Sequence, residues 1–201
     1  MCPSRLRARC GHAPRFGSNP RHHAAAFACS AVAIALVASV LVGCTAVTGG
    51  SPAPSVVEVG GGPVRIGSPA PVFRLDDLGG HPVSLGGYAG RPVVVNFWAS
   101  WCIPCRQEFP MYRQARQTYG AKGLEILSIV YKDSVDAARG FMNTEGATWP
   151  ALVDPNGSVA QAYGIVGIPD SFFVDRNGIV RAISYGPPPA DMLPSYLAKI
   201  L

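Results

Sequence analysis

Cysteine is scarce where a secreted domain of this size would use it as a staple. Of 6 cysteines in 201 residues, Cys2, Cys10 and Cys29 lie in the leader before Cys44, and only Cys102 and Cys105 follow Cys44. No disulfide framework remains, so the one intradomain pair available, Cys102–Cys105, reads as working chemistry rather than a staple. Histidine is equally thin, since His81 alone lies beyond position 44. A structural zinc site needs a second pair of Cys or His ligands, so no metal is expected. Acidic residues are missing altogether from the first 43 positions, which hold 5 of the 17 Lys and Arg. From Cys44 onward, 12 basic residues face 12 acidic ones, and the net charge of +5 belongs to the leader. Charge therefore gives no argument for a nucleic-acid partner.

The leader has a basic, polar stretch to residue 23 and an uncharged apolar run over 24–43, the arrangement of a signal peptide. The run closes on Leu41-Val42-Gly43-Cys44. This tetrapeptide resembles the bacterial lipobox, whose cysteine is acylated and becomes the mature N-terminus. An uncleaved transmembrane anchor is the competing reading, because about 20 apolar residues span a bilayer. Both place the domain outside the cytoplasm, at the cell membrane. Residues 45–63 are dense in Gly, Pro and Ser without apolar periodicity, and read as a flexible tether with an r.m.s. reach of about 25 Å. The division is thus a signal peptide over 1–43, a tether over 44–63 and one domain over 64–201.

Within the domain, Pro71–Leu75 and Pro82–Leu85 read as two strands around a turn at Asp77–Gly80. Val93–Trp98 is a β-branched and aromatic run of the kind buried on both faces, and Arg106–Tyr119 has helical composition. A second buried strand over Leu124–Tyr131 completes a βαβ unit with parallel strands. Helices are expected over Ser134–Glu145, Ser158–Tyr163 and Pro189–Ile200, and a hairpin from Ser171–Asp175 and Ile179–Ser184.

The central strand runs into Trp101-Cys102-Ile103-Pro104-Cys105, which places the Cys-x-x-Cys at a strand-to-helix junction. A thiol in the first helical turn faces unpaired N–H groups and the positive end of the macrodipole, and both favour thiolate. Cys102 is accordingly the expected nucleophile. Pro104 suits a first turn, where its missing N–H costs nothing.

Asn-Phe-Trp-Ala-Ser-Trp-Cys-Ile-Pro-Cys-Arg-Gln-Glu-Phe-Pro resembles the active-site run of the thioredoxin superfamily, in its TlpA/ResA/CcmG branch of membrane-anchored thiol-disulfide oxidoreductases. The resemblance covers residues 64–201. It implies an α/β thioredoxin-like fold, with a central mixed β-sheet flanked by helices, an N-terminal β-hairpin, and a central insertion containing Ser134–Glu145 and Trp149–Val153. Thioredoxin itself carries a buried Asp where this chain has Asn96, while the branch carries the Glu that stands here as Glu108. Three residues past Cys105, Glu108 falls on that cysteine's helix face. A partly buried carboxylate there is expected to handle protons and, by its charge, to raise the cysteine pKa values. Pro110 matches the proline that follows in the branch.

The resemblance also makes Ile168–Pro169 a cis peptide bond facing the cysteines. It implies a substrate face made by Trp101, Ile103, Pro104, Ile168, Pro169 and Asp170. Trp101, like Trp98, reads chiefly as packing and shielding. Asp170 departs from the Thr common in TlpA relatives; it is read as a solvent-facing turn residue, with raising of the thiol pKa or selection of basic substrates as the functional alternatives. The implied activity needs no cofactor beyond the Cys102–Cys105 disulfide. Its implied partners are a protein disulfide such as that of apocytochrome c, and a membrane thiol transporter as electron donor; a monomer is expected. The runner-up is an oxidase for secreted proteins. Peroxidases of this fold carry Pro and Thr where Val95 and Ala99 stand, and copper chaperones carry a wider Cys-x-x-x-Cys with a later His, which this chain lacks.

Overall fold

The computed structural model describes residues 64–201. The leader, Cys44 and the tether lie outside the described residues. The chain first forms a hairpin of β1 (Arg74–Asp77) and β2 (Pro82–Ser84). Next come β3 (Val93–Trp98), α1 (Ile103–Tyr119), β4 (Glu125–Val130), α2 (Val135–Thr144), β5 (Ala151–Val153) and α3 (Ser158–Tyr163). A second hairpin, β6 (Asp170–Val174) and β7 (Val180–Tyr185), precedes α4 (Leu193–Ala198). The strands make one mixed sheet in the order β2-β1-β5-β4-β3-β6-β7. β3 pairs parallel with β4 and antiparallel with β6, which places it inside the sheet, as its unbroken apolar run requires.

Two of the boundaries that differ from the sequence reading do so for a clear local reason. The first strand begins at Arg74 rather than Pro71, because residues 69–71 are engaged elsewhere. Pro69 bridges Ile179, Ala70 N–H donates to the Gly178 carbonyl, and Tyr163 Oη donates to the Pro71 carbonyl. The last helix begins at Leu193, since the N–H groups of Met192 and Leu193 both turn back on the Pro189 carbonyl.

Alternate side chains of β3 enter two cores. Val93, Val95 and Phe97 join Phe73, Tyr163 and Phe172 on one face. Val94 and Trp98 join Phe109, Tyr112 and Phe141 under α1 and α2 on the other. A fully buried side chain of this size contributes about 1.5–3 kcal/mol through removal of apolar surface. The face beneath α1 carries one polar row. Ser128 on β4, Asn96 on β3, Ser171 on β6 and Ser184 on β7 are register partners in turn, and all four are buried.

One free edge of the sheet is short, and the start of the other is covered. β2 has three residues and starts with Pro82, and the beginning of β7 is covered by residues 67–69 through the bridge at Pro69 and bonds between Gly67, Ser68 and Val180.

Candidate active site

β3 delivers the chain to residues 99–101, and α1 begins at once. Cys102 is the N-cap, in an extended conformation, with Pro104 in the first turn and Cys105 behind it. The helix therefore starts three residues earlier than its composition suggested. The Cys105 N–H points at Cys102 Sγ at 3.2 Å, so an otherwise orphaned helix donor stabilises charge on that sulfur whenever it is a thiolate. The two cysteines are joined as a disulfide with Cα atoms 5.3 Å apart. Cys102 is 4% exposed and Cys105 is sealed, so an incoming thiol meets Cys102 first.

Ile168–Pro169 is cis and lies opposite, with the Ile168 carbonyl 3.9 Å from Cys102 Sγ. The Ile168 carbonyl accepts no backbone N–H among the described residues. Trp101 and Ile103 beside the disulfide are 58% and 70% exposed, and Val166 and Tyr185 near the cis-proline are 95% and 72% exposed. Large apolar side chains left in water beside a reactive disulfide suit a protein surface as substrate. Val95 and Ala99 are fully buried aliphatic residues, and their side chains carry no hydroxyl to offer Cys102.

Trp101 is held by a contact that the sequence reading did not identify. Its Nε1–H donates to the Lys132 carbonyl at 3.3 Å, and Asp133 Oδ2 accepts the Ser100 N–H at 2.7 Å. Lys132 has φ of 50°, an uncommon conformation for a residue with a side chain. The signal for this contact was present: β3 and β4 are parallel, so residues following each had to emerge on the same side of the sheet.

Glu108 lies under the disulfide helix and is fully buried rather than partly solvated. Burial pushes its carboxyl up to about 8; the Asn96 amide opposes this and the nearby Asp170 adds to it. The side chain is thus neutral at pH 7, which corrects the expectation of a standing negative charge beside the thiols. Asn96 Nδ2 donates to Glu108 Oε1 at 2.7 Å and to Ser171 Oγ at 3.1 Å, while Tyr112 Oη lies 2.6 Å from Ser171 Oγ. Burial also raises the Tyr112 hydroxyl pKa well above its ordinary range.

Asp170 is not a solvent-facing turn residue. It is a buried member of β6, paired with Phe97 on one side and Tyr185 on the other. Burial lifts its carboxyl to about 6, partly offset by the Gly186 N–H that reaches its Oδ1 at 3.3 Å.

A disulfide at a helix start, a cis-proline across from it and a thioredoxin-like sheet beneath both define a thiol-disulfide oxidoreductase. The comparisons make the assignment specific: the chain belongs to the AhpC/TSA family, whose model matches residues 66–183. It is 37% identical over 123 residues to the thiol-disulfide oxidoreductase ResA of Geobacillus kaustophilus, covering 61% of this chain and 71% of that protein. ResA of Bacillus thuringiensis is 32% identical over 137 residues, covering 68% and 79%. A Chlorobium tepidum structure assigned as a thiol:disulfide interchange protein DsbE matches with a TM-score of 0.64 and 36% identity, over 69% of this chain and 99% of that one.

Proposed function

We propose that this enzyme acts as a disulfide reductase outside the cytoplasm, tethered to the membrane through Cys44. Its proposed substrate is the Cys-x-x-Cys-His disulfide of an apocytochrome c, and its electrons come from a membrane thiol transporter. The observation that carries the reading is the buried acid directly behind a dipole-activated disulfide. In the reduced enzyme the Cys102 thiolate attacks one substrate sulfur, forming a mixed disulfide and releasing a substrate thiolate that takes up a proton. Cys105 then gives its proton to Glu108 in the minority of molecules where that carboxyl is ionised, and attacks Cys102 Sγ, and the second substrate sulfur leaves as thiolate. Two electrons pass to the substrate, and the enzyme returns to the disulfide form.

The test is a titration of the reduced enzyme against an oxidised Cys-x-x-Cys-His peptide. The reading requires stoichiometric reduction of the peptide, with one enzyme disulfide formed per peptide dithiol. An equilibrium in which the peptide stays oxidised would instead favour the secreted-protein oxidase. Glu108→Gln should slow the exchange about 10²-fold or more, the usual scale of a positioned acid–base group. An unchanged rate would remove Glu108 from the reaction.

A further inference from the structure

Asn96 is an improbable residue for its place. It is fully buried in the middle of β3, on the face where its strand neighbours Val94 and Trp98 enter the core beneath α1. Asn is depleted in strands, and its amide must find partners once it leaves water. A Val or Leu would serve the core better, so packing does not account for it.

Its contacts do. One amide hydrogen points at Glu108 Oε1 at 2.7 Å, and the other is held at 3.1 Å by Ser171 Oγ, the register partner of Asn96 on β6. Ser171 is held in turn by Tyr112 at 2.6 Å, one turn past Glu108 on α1. The second oxygen of the carboxyl, Oε2, is buried without a partner. No Lys, Arg or His forms an ion pair with Glu108 among the described residues. Of the other titratable groups near the carboxyl, Asp170 on β6 opposes its ionisation by charge from the far face of the sheet, and Cys105 and Tyr112 on α1 carry no positive charge. Asn96 is therefore the one described group that favours the carboxylate over the acid.

We propose that Asn96 is the positioning residue that sets the proton affinity of Glu108, by aiming one fixed N–H donor at an otherwise dry carboxyl. Without that donor the ionised fraction of Glu108 would shrink further, and with it the capacity to accept the Cys105 proton. An amide suits the role because it cannot titrate. An Asp at the same place would sit against Glu108 as a carboxyl pair sharing one proton, and protons would then leave the pair in two separated steps. The inference rests on Glu108 being the proton carrier of the proposed reaction, and its test is chosen so that the two can fail separately.

The experiment follows the Glu108 carboxyl carbon by NMR from pH 4 to 10 in the oxidised protein labelled with carbon-13, beside the pH profile of peptide-disulfide exchange. Asn96→Leu should raise the Glu108 midpoint by one unit or more and carry the alkaline-rising limb of the exchange profile with it. Asn96→Asp should replace the single titration by two steps, one below and one above the wild-type midpoint. A Glu108 midpoint within 0.3 unit of wild type in Asn96→Leu, or a single unshifted step in Asn96→Asp, would overturn the proposal and leave Asn96 a packing residue. The Asp variant keeps the test decisive if the Leu variant does not fold. Normal exchange by Glu108→Gln, by contrast, would defeat the carrier role and not the control of Glu108's proton affinity by Asn96.

Discussion

At Glu108 the folded chain holds a proton that the unfolded chain releases. The carboxyl lets go near the ordinary carboxylate range when unfolded and near 8 when buried, so between those values the native state binds more protons. Stability must therefore fall as pH rises from about 5 to about 8, and the contribution of this group levels off above that. Asp170 acts in the same direction over a narrower window, up to about 6. Urea unfolding across pH 5 to 9 should show a loss on the order of a few kcal/mol that is largely absent in Glu108→Gln. Equal slopes in both proteins would place the perturbed carboxyl elsewhere. The cysteines give a second prediction at this scale. In the proposed reaction Cys102, at the mouth, forms the mixed disulfide and Cys105, sealed behind it, resolves it. Cys102→Ser should lose all exchange, and Cys105→Ser should accumulate covalent complexes with client proteins through Cys102. Mass spectrometry that finds the clients on Cys105 of the Cys102→Ser protein instead would reverse the roles.

Among the elements, the loop after β4 governs the loop after β3. Asp133 takes the Ser100 N–H and also the N–H of Ser134, so one carboxylate fixes the approach to Cys102 and the start of α2. Asp133→Ala should cost about 1–2 kcal/mol from the donors left without a partner. It should also speed hydrogen exchange at the Ser100 amide more than at Val95. Uniform acceleration across β3 would mean that the loop has no stability of its own. This pair also shows where sequence reading stops. Val93–Trp98, with its unbroken apolar run, could be placed to the residue, and Cys102 to Cys105 followed from the junction. The row from Ser128 through Asn96 and Ser171 to Ser184 could not, because each serine is ordinary in its own strand. Only the register of four strands makes them neighbours. Glu108 was legible as a residue on the face of Cys105, whereas its complete burial depended on what α1 covers.

For the whole molecule, the proposed function makes Cys44 the residue that decides where the reaction takes place. No helix among the described residues is long and apolar enough to cross a membrane, so attachment in the proposed scheme falls to the leader and its cysteine. Cys44→Ala should move the protein out of the globomycin-sensitive, lipid-labelled membrane fraction. Continued acylation of that variant would assign the anchor to another residue.

The blunt margins of the sheet bear on crowding at a surface. A population of such domains confined to two dimensions meets its own kind far more often than one diluted in a volume. A sheet with long open margins would there polymerise edge to edge. With β2 cut to three residues behind Pro82 and the start of β7 occupied by the chain's own residues 67–69, these margins offer little template for a neighbour. In the proposed tethered arrangement, high surface density can then raise the rate of encounter with clients at the cysteine mouth with less risk of seeding fibres of the enzyme itself.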